Sequence, residues 1–218
     1  MIKILESCDF DKSIEEKYFG GRDFGASIDI VKEILSEVKT RGDEALFEYS
    51  KKFDAVTPST LEISQEVLKA AAEKMQKENP KLYESLCYSR DLALRFAKKQ
   101  KESFNDFEVE LEEGLFTGQK NIAVDRAGVY VPAGRFPLVS TVVMTVTPAV
   151  AAGVKEIVLC TPPRSEKGGD ENIMAAAYIC GVTKAFACGG AQAVGAKARK
   201  ARRLVGTTMG SSRRGRIL

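Results

Sequence analysis

Between residues 128 and 192, short apolar runs alternate with longer helical stretches, and this alternation limits the chain to few architectures. Gly128-Val129-Tyr130-Val131-Pro132 reads as an apolar strand that stops at the turn Ala133-Gly134-Arg135. After Ser140, an apolar segment reaching Ala152 leads to Glu156-Ile157-Val158-Leu159-Cys160, closed by Thr161-Pro162-Pro163. A helix over 172–180 then passes through Gly181 to Ala185-Phe186-Ala187-Cys188 and Gly189-Gly190-Ala191-Gln192. Strands of about four to six apolar residues between helices of about ten or more predict a parallel sheet covered on both faces. Ligands bind such sheets beyond the carboxyl ends of the strands. Here that edge carries Tyr130 and Pro132, then residues 161–163, then 189–192.

Upstream the pattern is helical. Ser27 is placed to cap a helix in which Ile30, Val31, Ile34, Leu35 and Val38 form one stripe. Gly42 ends it, and Asp43 is expected to cap a second helix with Leu46, Tyr49 and Phe53 on one face. Ser64 begins a third, carrying Val67, Leu68, Ala71, Ala72 and Met75. Asn79-Pro80 restarts the chain with proline in a first turn, and a fourth helix runs to Lys101. Phe107, Val109 and Leu111 alternate with acids, as in one arm of a half-exposed hairpin turning near Gly114. The expected division is a helical segment over 1–125, an α/β segment over 126–198, and a basic tail over 199–218.

Composition removes several alternatives. The longest apolar candidate, 142–152, is broken by Thr145, Thr147 and Pro148 and is too short for a membrane span. The first ten residues lack the apolar core of a secretion signal. Cys8, Cys87, Cys160, Cys180 and Cys188 are odd in number, and three fall in apolar elements. That pattern fits buried free thiols in a reducing cytoplasm better than a disulfide framework. The tail holds seven basic residues and no acid, whereas 30 acids stand against 26 basic residues before it.

Several phrases occur in order along the chain: Gly-Val-Tyr-Val-Pro-Ala-Gly-Arg (128–135), Ser140-Thr141-Val142-Val143-Met144, Thr161-Pro162-Pro163 and Gly189-Gly190-Ala191-Gln192-Ala193. Gly42-Asp43-Glu44-Ala45-Leu46 and Lys52-Phe53-Asp54 precede them. Together they resemble the histidinol dehydrogenase family, zinc enzymes that oxidise L-histidinol to L-histidine with NAD. The resemblance spans residues 25–198 and implies an α/β fold. The helical segment would belong to a first α/β domain, followed by an incomplete Rossmann-like parallel sheet, βαβαβα. Tyr130 and Gln192 align with residues that bind NAD in the family, and Pro132 shapes the loop beside them. The resemblance also implies a small amino alcohol as substrate, a homodimer and a cytoplasmic enzyme. Relatives oxidise other small polyol-like alcohols.

In the family a glutamine, two histidines and an aspartate hold zinc, and a Glu–His pair moves protons. All of them lie beyond the point where the resemblance stops, and this chain contains no histidine. The resemblance therefore implies a truncated polypeptide, inactive alone. The abrupt change near Lys197 to Arg, Gly and Ser reads as a frame shift or premature end.

Each candidate also has a plain structural reading. Tyr130 could simply pack in the sheet, and Gln192 could be an exposed residue at a helix start. A helix start does favour phosphate, through free N–H groups and the dipole. The glycines do not form G-x-G-x-x-G, so no general dinucleotide fingerprint is present. Pro132 and Gly134 read first as turn residues. Ala133 stands where many family members have glycine, so ordinary backbone is expected there. Ser140 is expected to cap a helix, and Pro148 to kink it or restart it behind Thr147. Cys160 and Cys188 read as small buried hydrophobes rather than nucleophiles, and no C-x-x-C pair suggests zinc. The alternative function is a non-catalytic α/β protein whose basic tail binds a partner or nucleic acid. The tail has no stacking aromatic, which disfavours nucleic acid.

Overall fold

The computed structural model describes residues 25–133 and 136–200. Those residues form seven helices and six strands. In chain order these are α1 (Gly25–Arg41), α2 (Asp43–Phe53), β1 (Glu62–Ile63), α3 (Gln65–Glu78), α4 (Pro80–Lys101), β2 (Phe107–Glu112) and β3 (Leu115–Gln119). There follow β4 (Arg126–Tyr130), α5 (Val139–Ala152), β5 (Glu156–Thr161), α6 (Glu171–Cys180), β6 (Lys184–Ala187) and α7 (Gly190–Lys200). The α/β expectation is met, and the basic tail falls outside the described residues from 201 onward.

The main sheet has the order β1-β6-β5-β4. β4, β5 and β6 are parallel, with Gly128 beside Val158 and Cys160 beside Phe186. β1 corrects the all-parallel expectation. It is a two-residue antiparallel edge, pairing Ile63 with Ala185, too short to carry a readable alternation.

Side-chain alternation in the parallel strands sorts the helices into two layers. Ala127, Val129, Val131, Ile157, Leu159, Ala185 and Ala187 point to one face and share a core with Leu68, Leu86, Val142, Val146 and Ile173. These last residues come from α3, α4, α5 and α6. Tyr130, Cys160, Phe186 and Cys188 point to the other face, where Ala193 of α7 covers them. α1 and α2 dock outside α7 through Ile34, Val38, Ala45 and Leu46. Each fully buried aliphatic side chain in this core, such as Leu68 or Leu159, contributes about 1.5–3 kcal/mol over leaving it exposed. The packing crosses residue 125, since Ile63, Leu68 and Leu86 lie in one cluster with the sheet.

Local capping explains most boundaries. Ser64 accepts from the Val67 N–H at 3.4 Å, and Asn79 from the Leu82 N–H at 3.3 Å, so α3 and α4 begin where expected. Other expectations are corrected. α1 starts before Ser27, and of its apolar stripe Ile30 stays 56% exposed while Val38 is buried. Gly42, at φ 66°, occupies the cap position of α2, so Asp43 is the first helical residue and not the cap. Leu138 takes the cap position of α5, leaving Ser140 in its first turn. α5 runs unbroken through Pro148, so no second helix starts at Thr147. The β2–β3 hairpin turns at Gly114 as expected, but every residue in both strands is exposed rather than half of them.

Candidate functional site

The carboxyl ends of β4, β5 and β6 lie side by side, and the residues singled out in the sequence stand there. β4 keeps its ladder one residue past its end, where the Val131 N–H donates to the Cys160 carbonyl at 2.9 Å. The chain then leaves through Pro132, half-buried, and Ala133, 2% exposed. No non-glycine among the described residues has positive φ, so Ala133 sits in ordinary backbone as expected.

After β5, Thr161 and Pro163 are fully buried, and the chain makes a tight loop. The N–H groups of Arg164 and Ser165 both donate to the Gly168 carbonyl, at 2.9 and 3.0 Å. Ser59 fixes this loop from outside, donating from its N–H and its hydroxyl to the Glu166 carbonyl, each at 3.0 Å. The Arg164 guanidinium reaches across and donates to the Ala133 carbonyl.

After β6, Gly189 packs on Pro162 so closely that a Cβ there would meet the proline ring at 3.0 Å. Gly190 opens α7 with φ +59°, and an added Cβ would also meet the Gln192 side-chain oxygen at 2.5 Å. The positive φ favours glycine at this position, and a side chain there would also displace the Gln192 amide. The first i→i−4 bond of α7 runs from the Ala193 N–H to the Gly189 carbonyl at 3.1 Å. The Gly190 N–H donates instead to the Tyr130 phenol oxygen at 3.1 Å. Ala191 and Gln192 therefore supply the first-turn N–H groups with no acceptor inside the helix.

The structure thus brings Tyr130 and the 189–192 turn into direct contact, with Pro132 at the end of the same strand. Gln192 differs from its plain structural reading. It is 3% exposed, its amide folded back over Gly190 rather than extended into solvent. Cys160 and Cys188 are each 3% exposed beside Tyr130 and Phe186, as expected of small apolar fillers. Cys180, beneath the other face, is pushed up to about 11 by burial, so its thiol stays protonated at neutral pH. The four cysteines among the described residues are unbridged.

Three further residues near this edge were not singled out in the sequence. Asp54, just past the end of α2, accepts from the Ser50 hydroxyl at 2.9 Å. Its carboxylate lies near Gly189, where an added Cβ would meet its oxygen at 3.4 Å. Burial pushes the Asp54 carboxyl above its ordinary value, against the pull of the Ser50 hydrogen bond and the Arg164 charge. Asp54 falls inside the Lys52-Phe53-Asp54 phrase, which was the available clue. Arg164 follows two prolines in a loop, where no periodicity marks it, and Ser50 reads as an ordinary helix residue.

Zinc does not fit the described residues. Among the described residues no three His, Cys, Asp or Glu side chains gather, and the sequence has no histidine. The edge offers first-turn amides, a glycine pair and a half-buried phenol.

Comparison with known proteins adds the family. The histidinol dehydrogenase family model matches residues 21–204. A sulfopropanediol 3-dehydrogenase from Ruegeria pomeroyi is 40% identical over 168 residues, covering 77% of this chain and 38% of that protein. A histidinol dehydrogenase from Aquifex aeolicus is 43% identical over 170 residues, covering 77% and 37%. The crystal structure of histidinol dehydrogenase from Elizabethkingia anophelis superposes with a TM-score of 0.70 at 31% identity, over 81% of this chain and 39% of that one. The chain spans less than half the length of these relatives.

Proposed function

This chain belongs to the histidinol dehydrogenase family, and from that premise we propose that it carries the NAD-binding part of a zinc-dependent alcohol dehydrogenase. The observation that carries this reading is the 3.1 Å bond from the Gly190 N–H to the Tyr130 hydroxyl. It seats a phenol against the first turn of α7, where the amides of Ala191 and Gln192 and the helix dipole favour a phosphate. In this reading Tyr130 offers its ring face to the cofactor, Gln192 its first-turn N–H, and Pro132 fixes the loop beside Tyr130. NAD supplies the hydride acceptor; the residues of this chain bind and orient it.

The chemistry around that acceptor has to come from elsewhere. With no histidine, the chain cannot provide the ligands or the acid–base pair implied by its family. Losing a general base costs about 10²–10⁴ in rate, and losing a Lewis acid removes several kcal/mol of charge stabilisation besides. The 218-residue polypeptide alone is therefore inactive in this account. The substrate of the complete site is a small hydroxyl-bearing compound; an amino alcohol such as histidinol is the first choice. A cytoplasmic homodimer is the expected assembly.

The test is an NADH-release assay on the purified, zinc-supplemented chain with L-histidinol, run beside NAD titrations of the wild type and Tyr130→Ala. The expected result is no NADH, with weak NAD binding that Tyr130→Ala weakens further. Stoichiometric NADH production would refute the inactive reading. NAD binding untouched by Tyr130→Ala would remove the site.

A further inference from the structure

Arg164 joins two loops at the sheet edge. Its own loop is rigid at the backbone, closed by the bonds to Gly168 and clamped from Ser59. Its target is not. Beyond the Val131 N–H, the segment leaving β4 contains Pro132 and Pro137, which have no N–H to donate, and Phe136 is 75% exposed. Yet Ala133 is almost fully buried, and a buried carbonyl without a donor is costly. The Arg164 guanidinium supplies that donor. Asp54, held by the Ser50 hydroxyl, feels the Arg164 charge.

We propose that Arg164 is a positioning residue: it tethers the Pro132–Ala133 turn to the β5–α6 loop and so sets where Tyr130 and Pro132 stand relative to the α7 start. Charge-assisted bonds to a neutral acceptor are among the stronger ones. Two segments distant in sequence, the loop after β5 and the loop after β4, are then held together. The consequence for NAD rests on the proposed function, whereas the tether itself does not.

The test is amide hydrogen exchange on the wild type, Arg164→Met, Arg164→Lys and Asp54→Asn, followed by NAD titration of each. Arg164→Met is expected to speed exchange between residues 131 and 138 on the order of tenfold or more, with α6 peptides unchanged. Arg164→Lys, which keeps a charged donor, should recover part of that protection, and Asp54→Asn should lose less. If Arg164→Met does not fold, the lysine and asparagine variants decide by the same peptides. Wild-type exchange in that segment, or equal loosening of α6, overturns the tether. If the tether holds but the wild type binds no NAD, the cofactor reading fails and the positioning role survives.

Discussion

At the scale of single residues, the site is held by side chains placed at the ends of regular elements. Tyr130 was legible because it sits where an apolar strand meets a turn. The face it uses follows from strand alternation. Its partner, the Gly190 N–H, was not legible, because 60 residues of chain separate them and only the folded sheet brings them together. Gln192 was placed correctly in the first turn of a helix, but its burial depends on Gly190 leaving room for the amide. Asp54 gives a prediction at this scale. Its carboxyl is raised in the folded state chiefly by burial, so the unfolded chain gives up this proton first as pH rises. Stability should therefore fall as pH climbs from the ordinary carboxylate value to the raised one, and level off above it. Asp54→Asn keeps an acceptor for Ser50 and should flatten that segment of the curve. Urea midpoints across acid pH check this; a variant whose profile matches the wild type would show that burial does not govern the group.

At the scale of elements, caps and periodicity carried most of the reading. Ser64 and Asn79 start α3 and α4 through hydrogen bonds their residue types foretell. Ser64→Ala should cost about 1 kcal/mol, seen as a lower urea midpoint at unchanged slope; an unchanged midpoint would mean the 3.4 Å bond contributes nothing. The misplaced cap at Asp43 has a physical cause. The turn between α1 and α2 is a single residue at positive φ, which only Gly42 adopts easily, so no extended cap residue fits there. β1 was invisible because two residues cannot show a period, and its pairing is decided by the edge that β6 offers. The hairpin shows the opposite failure. Its alternation correctly gave strands, yet nothing in an alternating sequence says whether a neighbour covers the apolar side.

At the scale of the whole molecule, two helical layers enclose a short sheet, and side chains from before and after residue 125 share one core. α3 and α4 supply Leu68 and Leu86 to the same core as β5 and α6, so the segment that reads as purely helical is half of the sheet's cover. Sequence phrases identified the family, and geometry then explained why they cluster: all of the downstream ones fall on one sheet edge or on the helices that support it. The central claim is that this edge is a cofactor cradle, completed chemically by residues this chain does not contain. Amide and aromatic NMR shifts recorded during an NAD titration of the purified chain test it most directly. The account predicts weak, saturable binding, with resonances of Tyr130 and of Gly189, Gly190, Ala191 and Gln192 moving together while those of α3 and α4 stay still. If those resonances remain fixed at high NAD, or the shifts gather elsewhere on the molecule, the account is contradicted.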